Sequence, residues 1–346
     1  MSSRPPIDLL TLFGQFGREQ QLSLRDPEAQ LQFLESVKAS MKDALENDAL
    51  LHGQRTQNMF EALAVSLGEY KLLKLEDTGR VHPEGAYTAP DFRMVLTDGR
   101  QWLIEVKNVY DRDPTRQRLQ LRKVDVDKLA TYARAVGCPL KFALYWARWR
   151  IWTLVDADDF DLVGTKLVID MLKAAVVSEL GEIGDRTVGT KPPLTLRLMV
   201  DPTKDRSIAE DGEAKFTVGN AKLLCGDKEI TNPTEQAIAW MFMQYGDWEG
   251  EEPTAVISYD KLEAVDFNWT PRERSNEGQD FEMIGRLSTV FARYFAEQTI
   301  DSDRLVQTEA DMVPGWFRPL IDPTYKSDAL PLWRFIIQSS RAGKGI

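Results

Sequence analysis

Asp91, Glu105 and Lys107 are the residues whose types and spacing can do chemistry, and they stand where a half-buried sheet should avoid charge. The stretch from Gly85 to Asn108, GAYTAPDFRMVLTDGRQWLIEVKN, reads as a β-hairpin with arms over 91–96 and 101–109 and its turn at Asp98-Gly99. Asp-Gly between alternating apolar runs is a strong local hairpin signal. Register decides what the charges can do, because a slip of one residue moves every side chain to the other face. A two-residue loop at Asp98-Gly99 pairs Phe92 with Glu105 and sets Asp91 and Arg93 beside Trp102 and Ile104. A three-residue loop, Thr97-Asp98-Gly99 with Gly99 left-handed, pairs Leu96 with Arg100 and Asp91 with Glu105. Then Phe92, Met94, Leu96, Trp102, Ile104 and Val106 share one apolar face, and Asp91, Glu105 and Lys107 share the other. The apolar pattern favours this second register.

Two carboxylates one strand apart repel unless a cation sits between them. Lys107 is one candidate and a divalent metal is the other. Oxygen ligands with no Cys or His nearby suit Mg²⁺ or Mn²⁺ rather than Zn²⁺. Such an ion polarises a phosphate and activates water, and Lys107 can orient that water or steady developing negative charge.

Pro90-Asp91 followed by Glu105-Val106-Lys107 at the end of the next strand resembles the PD-(D/E)XK nuclease superfamily, the restriction-endonuclease-like fold. The resemblance covers residues 50–156, under a third of the chain. It implies an acidic residue on a helix before the hairpin, and Glu61 fits. It also implies a helix and a further strand after the second arm, which 123–146 supplies. By this resemblance Asp91, Glu105 and the Val106 carbonyl hold Mg²⁺, Glu61 binds a second metal or orders its water shell, and Lys107 assists in-line attack of water on a phosphodiester.

The elements that must position these residues follow the chain. Residues 1–25 read as a Pro-containing arm with an apolar patch at Leu9, Leu10, Leu12 and Phe13. Asp26-Pro27-Glu28 opens a helix to about residue 48, with an apolar stripe of Leu34, Val37, Met41 and Leu45. A second helix over 56–67 has Phe60, Leu63, Ala64 and Leu67 on its core face, and Glu61 at the edge of that face. Residues 70–75 form a short strand, and His82, before Pro83, reads as a loop residue. After Lys107 the residues Arg112, Arg116, Arg118, Arg122 and Lys123 crowd beside the hairpin in a loop and helix entrance, placed for phosphate contact. Gln117 and Gln120 resemble the polar residues that related nucleases carry there. A helix through Val126, Leu129 and Ala133 ends at Gly137, a natural C′ residue. Strands follow over 140–146 and 150–155, where Trp146, Trp149 and Trp152 read as core rather than base-stacking residues. Asp156 to Asp159 reads as a solvated acidic linker. Beyond it come a helix over 162–180, strands over 194–200 and 215–224, a helix capped by Asn232 with Pro233 at N1, a helix over 281–298 and a strand over 332–337.

Composition is that of a globular chain, 43% hydrophobic and 28% charged in 346 residues, long enough for two domains. No apolar run reaches about 18 residues, so no transmembrane helix is expected. The first residues lack a signal-peptide core, and Cys138 and Cys225 form no metal-spaced set, which points to a cytoplasmic setting. Net charge is −11, but it is unevenly spread. Residues 1–150 hold 22 Lys and Arg against 20 Asp and Glu, while 151–346 hold 21 against 34. Residues 101–150 alone hold 11 against 5, and a phosphate backbone needs such a local field rather than a high global pI.

These observations give an α/β fold with a mixed central sheet flanked by helices, followed by an α+β C-terminal domain of no recognised family. The expected divisions are an N-terminal arm and helix, 1–49, a nuclease-like domain, 50–160, and an acidic domain, 161–346. The expected activity is metal-dependent phosphodiester hydrolysis, on DNA ahead of RNA by resemblance, with the acidic half serving dimerisation, targeting or a protein partner. The rivals are a non-catalytic nucleic-acid-binding or assembly protein on the same fold, and an interaction protein, for example of a phage or mobile element, that works through its acidic domain.

Overall fold

The computed structural model describes residues 9–76, 85–209, 212–273, 278–302 and 304–340, so His82 lies outside the described residues. It is a mixed α/β chain with several sheets, and it divides into compact units over residues 1–55 and 56–346.

In the first unit the expected arm is a helix, α1 (Leu9–Glu19). Leu9, Leu12, Phe13 and Phe16 recur at helical spacing, and Phe33 of α2 (Pro27–Leu45) sits against Phe13 and Phe16 at ring distances of 5.2 and 5.6 Å. The start of α2 follows its sequence signal: the Asp26 carboxylate accepts the Glu28 N–H at 3.0 Å, with Pro27 in the first turn. Its stripe is not a core stripe, since Leu34, Met41 and Leu45 are exposed and only Val37 is half-buried. The next helix, α3 (Asp48–Leu67), begins earlier than expected because Asn47 caps it, its Oδ1 accepting the Leu50 N–H at 3.1 Å.

The second unit holds a five-stranded sheet. Its strands are β1 (Tyr70–Leu75), β2 (Phe92–Leu96), β3 (Gln101–Val109), then, after β4 (Arg118–Arg122) and α4 (Lys123–Val136), β5 (Leu140–Trp146) and β6 (Ile151–Asp156). The spatial order is β1-β2-β3-β5-β6, with β3 and β5 parallel and the other neighbours antiparallel. Phe60 and Leu63 of α3 cover one face with Phe92, Ile104 and Trp152. Val126, Leu129 and Ala133 of α4 cover the other with Leu103, Phe142 and Leu144. Burial on both faces explains why β5 is almost wholly apolar rather than alternating, its one charge, Lys141, being paired with Asp156 at 2.9 Å and Glu179 at 2.6 Å. Gly137 takes the left-handed C-cap of α4 at φ 68°.

Three expectations are corrected here. The helix over 162–180 is a hairpin, β7 (Asp161–Val163) and β8 (Lys166–Asp170), followed by a short α5 (Met171–Val177). Gly164 at φ 61° makes the turn, and the short segments on either side of Gly164-Thr165, which hold Val163, Val168 and Ile169, pair instead of coiling. The basic segment is partly a strand, because β4 pairs with β8 from Arg118 opposite Asp170 to Arg122 opposite Lys166. The acidic linker is ordered: Asp159 is buried and its Oδ2 accepts the Asp156 N–H at 2.8 Å.

Beyond α5, β9 (Thr187–Thr190) and β10 (Leu194–Val200) start the C-terminal sheets. β9 lies between Glu282–Arg286 and Leu332–Phe335, while β10 lies between Val218–Cys225 and Lys261–Thr270. Helix α6 (Pro233–Tyr245) carries the expected Asn232 cap, and α7 (Leu287–Thr299) is preceded by a strand where the sequence suggests its first turns. Leu180, Ile238, Phe291, Phe317 and Leu330 share one apolar cluster with Phe60 and Phe92, so the core continues across residue 160.

Candidate active site

The hairpin takes the three-residue loop. Phe92 pairs with Ile104 and Met94 with Trp102, the Leu96 N–H donates to the Arg100 carbonyl at 2.9 Å, and Gly99 has φ 95°. One rung beyond Phe92 and Ile104, Asp91 stands opposite Glu105. Leu75 pairs with Phe92, and the Glu76 N–H donates to the Asp91 carbonyl at 2.8 Å, which puts Glu76 in the same row. Three carboxylates from adjacent strands therefore line the α4 side of the sheet, and strand alternation adds Arg93 and Lys107 to that side.

Each charge has a partner. The Asp91 Oδ2 accepts the Val106 N–H at 2.6 Å, bridging the strands where the regular ladder stops. Lys107 Nζ forms an ion pair with the Glu105 carboxylate, which is almost buried. Arg93 donates to Glu76 at 2.6 Å, and the Tyr132 hydroxyl of α4 donates to the same oxygen at 2.7 Å. Burial would raise the Glu76 carboxyl, but the Tyr132 and Arg93 hydrogen bonds outweigh it and hold the group below the usual carboxylate range. Burial, together with the same contact, pushes the Tyr132 phenol up.

Asp91, Glu105 and Lys107 are thus brought together. Val106 turns its side chain to the opposite, apolar face. Glu61 of α3 is half-buried and lies close enough to Tyr70 to help burial raise that phenol. Tyr70 is paired with Leu96 at the turn end of the hairpin, five residues from Asp91 or about 17 Å of strand. Among the described residues no group of three or more His, Cys, Asp or Glu side chains gathers closely enough to hold a metal, so Glu61 does not complete a set with Asp91 and Glu105. The donors that are present suit a hard cation in type, since Mg²⁺ commonly takes one or two carboxylates and completes its shell with water and phosphate oxygens.

The basic residues separate into two kinds. Arg116 pairs with Asp113 at 3.2 Å, Arg122 with Asp125 at 2.6 Å and Lys123 with Asp127 at 2.6 Å, so their charge is locally offset. Arg112 and Arg118 are exposed, and neither makes an ion pair among the described residues. Gln117 is buried and fixes the loop after β3, its amide donating to the carbonyls of Asp111 at 3.0 Å and Asp113 at 2.8 Å. A pocket of about 420 Å³ lies there, lined by Thr115, Arg116, Arg118, Gln120 and Asp170 among others. Trp146 and Trp152 are core residues, as expected. Trp149 is half exposed and tethers the β5–β6 turn to this loop through its indole N–H, 3.0 Å from the Pro114 carbonyl.

Sequence reasoning missed Glu76, Arg93 and Tyr132. The first two carried a signal: Arg93 is two residues from Asp91 on an alternating strand, and Glu76 is the charge that ends the β1 run. Nothing local marked Tyr132.

No family model matches this chain. No curated protein matches it either. Among solved structures, one similar chain is Hjc, a Holliday junction resolvase from the archaeal hyperthermophile Archaeoglobus fulgidus. The two are 20% identical with a TM-score of 0.24, over 34% of this chain and 84% of the resolvase. A likeness at that level bears on neither fold nor activity. Among the described residues no helix is long and apolar enough to cross a membrane.

Proposed function

We propose that the α4 side of the hairpin is the active site of a metal-dependent nuclease of the PD-(D/E)XK kind, acting on DNA ahead of RNA. The observation that carries this reading is the register, in which Asp91 faces Glu105 across the strands with Lys107 ion-paired to Glu105. An ordinary half-buried sheet places apolar or neutral residues there. Asp91 and Glu105 would hold Mg²⁺ or Mn²⁺, with the Val106 carbonyl as a further oxygen. When bound, the ion supplies Lewis acidity toward a phosphate oxygen and makes water a stronger nucleophile. Lys107 exchanges Glu105 for the scissile phosphate and donates to the oxygen that gains charge. Glu61, on the helix that covers the other face, lies outside this set and takes no metal in this reading. Arg112 and Arg118 hold the flanking phosphates, and Arg116, Arg122 and Lys123 join them once their aspartates are displaced.

One observation favours a second reading, a nucleic-acid-binding or assembly protein without catalysis. Asp91 and Glu105 are already engaged, by the Val106 N–H and by Lys107. The deciding experiment offers duplex, single-stranded, branched and RNA substrates with Mg²⁺, Mn²⁺ or EDTA. Metal-dependent cleavage that disappears in Glu105→Gln supports the nuclease. Saturable binding without cleavage of any substrate supports the second reading.

A further inference from the structure

Helix α2 presents two apolar faces, and only one is covered within its unit. Phe33, Val37 and Ala44 turn toward α1, where the Phe13 and Phe16 rings meet Phe33. About a third of a turn round, Leu31, Leu34, Met41 and Leu45 are exposed by 59, 61, 58 and 63%. Side chains of this size, more than half exposed and aligned in one stripe, mark an association surface rather than scattered surface residues. With Lys38 they follow the spacing 31, 34, 38, 41, 45, alternating steps of three and four, which is the a/d seam of a coiled coil. A shallow groove of about 450 Å³ runs along it, lined by Leu34, Val37, Lys38, Met41 and Leu45 among others.

We propose that this seam pairs antiparallel with the same seam of a second copy of the chain. The argument is self-complementarity. In a parallel pair Lys38 would meet Lys38 of the partner in the middle of the seam, two ammoniums in an apolar strip. In an antiparallel pair whose two-fold axis passes between residues 39 and 40, Lys38 meets the partner's Met41 and Leu34 meets the partner's Leu45. The flanks then match as well. Glu35 comes beside the partner's Lys42, and the two-fold repeats that pair. Val37 and Ala44, half-buried against α1, close the other flank with the partner's Ala44 and Val37. The contact Lys42 makes in the monomer, 3.9 Å to Glu46 on an exposed surface, is loose enough to exchange. With α1 packed behind each α2, the product is a four-helix bundle. Association is then assigned to the first unit rather than to the acidic C-terminal half, and it does not depend on the nuclease reading.

Sedimentation equilibrium of the full chain over a range of concentrations tests this. The unmodified chain should have twice its monomer mass. Leu34→Lys, at an exposed position, should weaken the dimer about a hundredfold, since it replaces apolar burial by charge at two symmetric places. Far-ultraviolet circular dichroism should report unchanged helix content. Glu35→Lys alone should weaken the dimer about tenfold, because the new ammonium then faces the partner's Lys42 at two symmetric places. The exchange of both charges, E35K with K42E, should restore it. A chain that is monomeric at every concentration overturns the proposal. So does a dimer indifferent to Leu34→Lys, or one that the double exchange fails to rescue.

Discussion

Lys107 holds two relations at once: it neutralises Glu105 in the free protein, and the proposed chemistry asks it to leave Glu105 for the substrate. The two separate experimentally. Lys107→Ala leaves Glu105 facing Asp91 with no ammonium between them, so the metal-free protein should lose about 1 kcal/mol at low salt. Divalent cation should return more than that loss by mass action, and the Mg²⁺-induced rise in melting temperature should exceed that of the unmodified protein. Cleavage should fall about a hundredfold or more, because one electrostatic group at the developing charge is worth about 3 kcal/mol of barrier. Equal cleavage in Lys107→Ala removes Lys107 from the mechanism, and a melting temperature indifferent to Mg²⁺ in both proteins removes the metal. Glu76 gives a separate test of the buried charges in this row. Its carboxyl lies below the ordinary range when folded, so the stability it contributes is fully present above about pH 4.3 and is lost as pH falls through the folded value. Urea unfolding of Glu76→Gln between about pH 6 and pH 3 should show a lower plateau and a shallower acid loss than the unmodified chain. Parallel curves would mean that Tyr132 and Arg93 stabilise the neutral form equally well.

At the scale of elements the hairpin rests on one glycine. Gly99 stands at φ 95° with no atom within 4 Å of where a Cβ would go, so a side chain there meets only backbone strain. Gly99→Val should cost about 1–2 kcal/mol of unfolding free energy. It should also reduce metal binding at Asp91 and Glu105 if the loop relaxes into the two-residue register, which sends one arm's side chains to the opposite face. Unchanged stability would mean that the loop does not fix the register. This hairpin was legible in the sequence because two independent signals, Asp-Gly and the alternation of Phe92, Met94 and Leu96 against Trp102, Ile104 and Val106, agree on one register. β7 and β8 were not legible. Their apolar residues fall within a span that suits a helix, and only the Gly164 turn distinguishes the two, while the partner strand β4 lies more than 40 residues earlier. Burial partners were hidden for the same reason. Asp159 looked like a solvated linker residue because its capping role depends on a turn that forms only after β6, and the engagement of Glu76 depends on α4, more than 50 residues away.

Over the whole molecule the charge is divided so that the hairpin and its sequel carry the basic excess while the remainder is acidic. The ion pairs refine that division. Arg122 and Lys123 look in sequence like the heart of a phosphate-binding patch, yet each is held by an aspartate of α4, three or four residues on. Only charge that is not already neutralised releases a full complement of counterions when it meets a phosphate. Arg112 and Arg118 should therefore carry more of the salt dependence than Arg122 and Lys123, though a simple count weighs all four alike. Replacing Arg112 and Arg118 together with Ala should reduce the slope of log binding constant against log salt by about 2, about one per phosphate contact. Replacing Arg122 and Lys123 should reduce it by less, because Asp125 and Asp127 then lose their partners and repel the same phosphates. The measurement is a titration of one duplex over a range of salt concentrations without divalent cation, so that cleavage does not interfere. A larger slope change from the Arg122 and Lys123 pair would show that their aspartates yield to nucleic acid at no cost. Unchanged slopes in both double variants would place phosphate binding on another surface and detach the basic segment from the site at Asp91 and Glu105.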